Sequence, residues 1–571
     1  MLRMGSGVRR LDGRRVRGLH SSAVRALAQA ERKSDMVIVG AGVAGLAMLA
    51  GLVASPRLPA MHITMVDATP VHRWGGWLEA QRARTRPASD THDGVPWENR
   101  VISLNMDNVA WLQRLGAYPY VEPTRMRRVE RIRVWDGLTG AAAEFGTDGR
   151  ALSVMVELAN LQQGLYRFLA ARAPHSRVTY EIVDEARVTS IDAPDRSAWP
   201  RVSLRAGEQD TVVTTRLLVG ADGHRSPVRA FAGIESYGWP YGCKGLVATL
   251  RTGHHTRSAE PIVDQQAWQR FLPTGTLACL PLSPTSATVV WALPPELCDR
   301  LVAMHRASPV LDGTSSVLAT LLSAGFRLPW AELEPLLHEA PAEDTHAFEQ
   351  RVLAAVAAYE QRAGAHAPSA YTSAVPPWAD AVDVRSVASF PLQLQHAACY
   401  LGSTLNQTSA WPRPSDVVRG VLTGLGLTPG GAARGAGQGR TVLVGDAAHA
   451  THPLAGQGLN LGLQDVRALL ATLEDACAHG MDIGTHSALQ SYERARYLPN
   501  QAMLSVTDHL HWLFATRPSS PYHPSAHGAL AAAAREQALR ALVWARSTGL
   551  DVVNELGPLK RLFEAGAGSA P

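Results

Sequence analysis

Gly40-Ala41-Gly42-Val43-Ala44-Gly45 leaves the β-branched run Met36-Val37-Ile38-Val39 and opens an uncharged stretch that ends before Ser55-Pro56. Glycines at this spacing suit phosphate recognition. Gly40 permits a tight turn, Gly42 lets the main chain approach a pyrophosphate, and Gly45 lets the next helix pack on the strand. The helix N-terminus then offers unpaired N–H groups and the positive end of its dipole to the phosphates. A second strand-like run, His62-Ile63-Thr64-Met65-Val66, ends in Asp67, where a carboxylate can accept hydrogen bonds from ribose hydroxyls. These residues predict a dinucleotide site and leave open whether it takes a flavin or a nicotinamide. The uncharged run 36–56 has the length of a membrane helix. Its glycines, its β-branched start and the strand that follows predict a strand–turn–helix–strand unit instead.

Two further acids end buried-looking strands. Asp222 lies in Leu217-Leu218-Val219-Gly220-Ala221-Asp222-Gly223, with Arg225, Ser226 and Arg229 behind it. Asp446 lies in Val442-Leu443-Val444-Gly445-Asp446-Ala447-Ala448-His449, which runs on through His452, Pro453, Gly456, Gln457 and Gly458 to Asn460. A carboxylate at Asp446 can hold the hydroxyls of a ribityl chain. A glycine-rich turn into a helix can bring N–H groups to the pyrimidine edge of a flavin, where negative charge develops on reduction.

The order of these three motifs resembles that of the FAD-dependent aromatic hydroxylases of the p-hydroxybenzoate hydroxylase fold. Other segments are similar to one branch, the mitochondrial monooxygenases of ubiquinone biosynthesis, in their fungal-type form. These are Asn99-Arg100-Val101-Ile102-Ser103-Leu104, Arg133-Val134-Trp135-Asp136, Met155 to Gln162, Trp268 to Gly275, Phe390-Pro391-Leu392 and Tyr492-Glu493-Arg494. The resemblance covers about residues 34–565. It implies FAD as cofactor, with Arg100, Gln162, Asp222, Asp446, Pro453, Gly456, Gly458 and Asn460 joining Gly40, Gly42, Gly45 and Asp67 around it. It also implies oxygen insertion through a flavin hydroperoxide, at ring carbon 5 of a polyprenylated 4-hydroxybenzoate-type phenol. Ferredoxin and its reductase are the expected electron donors. The expected place is the matrix side of the inner mitochondrial membrane, bound peripherally among other ubiquinone-biosynthesis proteins. Two alternatives stay open: a soluble NAD(P)H-dependent phenol hydroxylase, and a flavin-binding assembly subunit. No catalytic base stands out; Arg270 is a candidate for a place near the ring face.

The elements that must carry these residues follow. The expected fold is α/β, with a Rossmann-like FAD domain interleaved with a mixed β-sheet substrate domain and C-terminal helices. The FAD domain is assigned to 34–120, 149–230 and 435–485, and the substrate domain to 121–148 and 231–400. An insertion loop is assigned to 401–434 and C-terminal helices to 486–571. Within 308–380, Thr345–Arg362 has the apolar spacing of a helix, expected to be a surface accessory.

The chain has 571 residues, and with 46% hydrophobic residues it can bury a large core. Its net charge of +5 is misleading. Residues 1–33 hold Arg3, Arg9, Arg10, Arg14, Arg15, Arg17, Arg25, Arg32 and Lys33 against Asp12 and Glu31, so the remaining chain is slightly acidic. That argues against a nucleic-acid-binding body and predicts a mitochondrial transit peptide at 1–33. The five cysteines are scattered and show neither a zinc spacing nor a disulfide framework.

Overall fold

The computed structural model describes residues 32–84, 95–146, 149–194, 198–252, 265–308, 314–340, 344–364, 374–402, 439–451, 456–515 and 529–555. Three sheets organise it. The first has seven strands. Its parallel centre is Arg32–Val39, flanked by Met61–Val66 and by Gln209–Gly220, with Val178–Val183 beyond Met61–Val66. Thr441–Leu443 adds in parallel to Gln209–Gly220, although more than two hundred residues separate them in the chain. The carboxyl ends of the central strands, Met36–Val39 and Leu217–Val219, are apolar at every position and buried, as in a parallel sheet covered on both faces.

Five helices matter for the site: α1 (Val43–Ala54), α2 (Leu158–Arg172), α3 (Gly458–Ala478), α4 (His486–Ala515) and α5 (Ala529–Glu555). The uncharged run 36–56 therefore divides into a strand and α1, both buried in the main core. Among the described residues no helix is long and apolar enough to cross a membrane.

The second sheet has ten strands, mostly antiparallel, built around Ser236–Thr252, Gln266–Leu272, Gly275–Ser283, Ser286–Leu293 and Ala388–Ala397. Arg131–Asp136 and Ala142–Phe145 extend it. Met126–Val129 instead pairs with Ser153–Glu157 in a small sheet that also holds Val101–Asn105. The large sheet thus takes only the later part of segment 121–148. Among the described residues, 308–380 contribute three helices, Val317–Arg327, Trp330–Glu339 and Thr345–Gly364. Phe348, Val352 and Val356 of the last are buried in a core shared with the large sheet. Thr345–Gly364 is thus a wall of a second hydrophobic core, more than a surface accessory.

Arg270 illustrates how that core is made. It is buried and donates to the carbonyls of Gly325 and Leu328 at 2.8 Å each, closing the C-terminal end of helix Val317–Arg327. An arginine there satisfies orphan carbonyls and meets the negative end of the helix dipole. This corrects the placement near a substrate ring.

Two buried ion pairs join the layers. Arg125 and Glu157, almost wholly inaccessible, pair at 2.6 Å, with the Trp97 ring 4.4 Å from the guanidinium. Arg546 of α5 pairs with Asp136 of the large sheet at 2.9 Å, and Ser547 donates to the same carboxylate. Beside this pair, Phe271 stacks on Phe514 of α4 at 3.8 Å.

Candidate flavin site

The three sequence motifs meet at the carboxyl edge of the parallel strands, where α/β sheets place their ligands. Main-chain bonds bring them into line. Gly40 N–H donates to Val66, Ala221 N–H to Val39 and Val444 N–H to Gly220, all within 2.8–2.9 Å. Gly40 adopts φ +102°, and a Cβ there would stand 2.2 Å from the Ala221 carbonyl oxygen. A Cβ on Gly45 would lie 1.9 Å from the Gly40 oxygen. Both positions demand glycine on steric grounds. Gly42 is different: it is exposed, and a Cβ on it would meet nothing within 4 Å. Its main chain faces open space at the start of α1, the geometry a pyrophosphate needs.

Asp67 follows the second strand. One carboxylate oxygen accepts from Ala41 N–H at 2.7 Å and the other from the amide and hydroxyl of Thr69. It braces the glycine turn while remaining half-buried at the edge of the recess. Gln162, in the second turn of α2, is buried and directs Nε2 to the Ala41 carbonyl at 3.4 Å. Arg100 is exposed, 3.8 Å from Glu98, at the head of strand Val101–Asn105.

Asp222 turns back on its own segment. It accepts from Val228 N–H at 3.1 Å, and its other oxygen is buried without a hydrogen bond. Burial raises its pKa, and the Ser226 and Val228 hydrogen bonds only partly offset this. Arg229 ties the second motif to the third, donating to the Ala447 carbonyl at 2.7 Å.

The third motif packs directly against the first. A Cβ on Gly445, itself at φ +59°, would lie 3.3 Å from the Ala44 side chain of α1, and one on Gly462 of α3 would lie 3.2 Å from Gly445 Cα. Asp446 is exposed to solvent, yet surrounding protein raises its carboxyl pKa, with His449 and His224 pulling it back down. Gly456, at φ +59°, lies 3.6 Å from the Ser103 side chain by the same measure. Gly458 opens α3.

The Asn460 side chain is fully buried and already occupied. Its amide nitrogen donates to the Ser103 and Gly456 carbonyls, and its oxygen accepts from Asn105 N–H and from the Asn108 side chain. It pins α3 to the small sheet, so a ligand at this point would meet the main-chain N–H groups of the first turn of α3. Pro453 and His452 lie outside the described residues.

Sequence reasoning missed what stands behind the third motif. His449 is fully buried and bonds Asp465 at 2.6 Å, and Asp465 also gathers Arg496 and Asn500 of α4. The one available signal was an acid, Asp465, among the mostly apolar positions that α3 buries. Among the described residues no group of three His, Cys, Asp or Glu could hold a metal ion.

An open Gly42, an exposed Asp446 carboxylate and two helix N-termini at one sheet edge fit a dinucleotide with a polyol arm, which describes FAD. A family model for an FAD binding domain matches residues 136–297 and 432–507, which carry the second and third motifs. In fold the chain is similar to p-nitrophenol 4-monooxygenase PnpA of Pseudomonas putida, with TM-score 0.52 and 14% identity over 94% of this chain and 98% of that one. It is also similar to the anhydrotetracycline hydroxylase OxyS of Streptomyces rimosus, with TM-score 0.50 and 17% identity over 94% and 75%. The protein is an FAD-dependent aromatic-ring monooxygenase. Among curated proteins it is 30% identical to the mitochondrial ubiquinone biosynthesis monooxygenase COQ6 of Rattus norvegicus, over 93% of this chain and 90% of the relative. It is 29% identical to that of Saccharomyces cerevisiae, over 96% and 95%. The chain belongs to the COQ6 family of ubiquinone biosynthesis monooxygenases.

Proposed function

We propose that this enzyme hydroxylates carbon 5 of a polyprenylated 4-hydroxybenzoate-type ring, using O₂ and electrons delivered by ferredoxin and its reductase. The supporting observation is the convergence of three distant motifs on one crevice, with Gly445 packed on Ala44 and Gly462, in a chain of this family. Bound FAD supplies the two-electron redox chemistry and the activation of O₂. The protein supplies position. The Gly40–Gly45 turn and the N-terminus of α1 would hold the pyrophosphate, Gly42 giving the close approach. Asp67 would take the adenosine ribose, and Asp446 the ribityl hydroxyls. Arg100 and Gln162 would approach from the small sheet and α2, and Asp222 would fix the turn below. Pro453, Gly456, Gly458 and the main chain at Asn460 would border the ring. The large sheet would form the opposite wall and exclude water.

The names of the relatives support a mitochondrial place, and the arginine-rich residues 1–33 fit a presequence. An apolar prenyl tail favours work at the surface of the inner membrane on the matrix side, beside other proteins of the pathway. The direct test uses protein lacking residues 1–30, loaded with FAD under argon. The expected result is an oxidised flavin spectrum that persists with NADPH and bleaches when ferredoxin, its reductase and NADPH are supplied together. Prompt bleaching by NADPH alone refutes the electron-donor assignment. Incubation with ¹⁸O₂ and a prenylated 4-hydroxybenzoate should label the ring at carbon 5, and label elsewhere refutes the ring position.

A further inference from the structure

A carboxylate stands behind the Gly445–Asp446 turn, and none of the flavin contacts above uses it. Asp465 of α3 is wholly buried. One of its oxygens accepts from Gly445 N–H at 3.2 Å and bonds His449 Nε2 at 2.6 Å. The other accepts from Arg496 Nε and Asn500 Nδ2 at 2.9 Å each. Four donors from two segments, the third motif and α4, converge on one anion. Burial pushes its pKa up, but His449, Arg496 and Asn500 more than reverse this and hold it below the usual carboxylate range.

The network continues away from the crevice. Asn500 Nδ2 also donates to the Tyr400 hydroxyl at 3.0 Å. The Tyr400 hydroxyl lies 2.8 Å from His396 Nε2, and the other ring nitrogen, Nδ1, lies 2.6 Å from the Tyr237 hydroxyl. His396 lies at the end of strand Ala388–Ala397 and Tyr237 at the start of Ser236–Thr252, both in the large sheet. Asp446 follows Gly445 directly in the chain, and His449 acts electrostatically on both carboxylates.

We infer that Asp465 is a positioning residue for the flavin. Through Gly445 N–H and His449 it fixes where the Asp446 carboxylate stands, and through Asn500 and Tyr400 it links that position to the large sheet. The inference rests on the FAD reading of the crevice. A carboxylate has the right chemistry because every neighbour is a donor. The substitution D465N would turn an NH₂ group toward other donors, so its defect should exceed the loss of charge alone.

The test uses full-length protein carrying D465N, H449Q, H449L or Y400F. FAD affinity is read from quenching of flavin fluorescence, the flavin midpoint potential from dye-coupled reduction, and stability from thermal unfolding without FAD. D465N and H449L should each weaken FAD binding by about tenfold or more and shift the potential. H449Q, whose amide keeps a donor toward Asp465, should stay within about threefold of wild type. Y400F should weaken FAD binding by roughly two- to fivefold with little change in unfolding of the apoprotein. Wild-type affinity and potential in D465N and H449L, with earlier melting only, overturn the inference. If D465N does not fold, equal affinities for H449Q and H449L, with Y400F at wild type, overturn it. Wild-type protein that binds no FAD sinks the flavin reading itself, a different outcome.

Discussion

Gly42 and Gly45 stand three residues apart in one motif, and substitution by alanine should separate their roles. At Gly45 the new methyl would be 1.9 Å from the Gly40 oxygen. Ordinary contact needs about 1.5 Å more, and the obstacle is backbone that belongs to a tight turn at φ +102°. Overpacking of this kind costs roughly 1–3 kcal/mol, and a shift this large belongs at or above the upper end. Alanine's better helix propensity returns about 1 kcal/mol. Gly45→Ala should therefore lose about 2 kcal/mol of stability even without FAD, and α1 must retreat from the turn. Gly42→Ala meets no protein atom within 4 Å and sits at φ −64°, which alanine adopts freely. Its apoprotein should melt with the wild type. Its methyl would nevertheless occupy the space assigned to the pyrophosphate, so FAD affinity should fall by about tenfold or more. The assay is a pair of measurements on each variant: urea unfolding without FAD, and FAD binding by fluorescence quenching. Gly42→Ala with wild-type FAD affinity would refute the pyrophosphate placement, whatever Gly45→Ala does.

Asn460→Ala leaves the Asn105 N–H and the Ser103 carbonyl unpaired inside the protein and should cost about 2–4 kcal/mol in urea unfolding; a cost under about 0.5 kcal/mol would contradict its place as the pin of α3. Asp136→Asn strands a buried guanidinium at Arg546 and should cost about 3–5 kcal/mol, whereas the double variant Asp136→Leu/Arg546→Met should recover most of it. Equal losses in single and double variants would count against the ion pair. His396 has its pKa lowered to about 4, by burial first and by His449 next. The unfolded chain, with an ordinary histidine, binds that proton near pH 6.5, so His396 contributes stability above that pH and loses it as pH falls toward about 4. The swing is about 3 kcal/mol. Unfolding free energy measured from about pH 7 down to about pH 4 should fall less steeply in His396→Gln, and parallel curves would show that His396 is not the titrating group.

Much of the fold could be read from the residues because the parallel strands announce themselves. Met36–Val39 and Leu217–Val219 are continuous apolar runs buried on both faces, and glycines mark where each ends. The crevice was legible for the same reason, since Gly40 and Gly45 are required by close backbone contact and leave a spacing in the sequence. What escaped was carried by side chains in undistinguished surroundings. Asn460 belongs to a motif, but nothing in its type says that its amide is spent on the small sheet instead of a ligand. Arg270 sits in a segment resembling the substrate sheet, and only the tertiary packing shows it closing a helix. Asp465, Asn500, Tyr400 and His396 are scattered over about a hundred residues with no periodic relation. Their hydrogen bonds arise from the meeting of α3, α4 and two strand ends, a geometry that exists only once the chain has folded.

Thr441–Leu443 completes the parallel sheet beside Gln209–Gly220, and the Gly445 turn closes on Ala44. The first and last motifs are about 400 residues apart, which at a synthesis rate of about 5–20 residues per second is roughly 20–80 s. Through that interval the emerging chain has α1 and its glycine turn but lacks the wall that Gly445 and α3 provide. The FAD crevice is thus complete only once the last quarter of the chain has joined the fold. A chain released before Asp465 should carry the first dinucleotide motif and remain colourless.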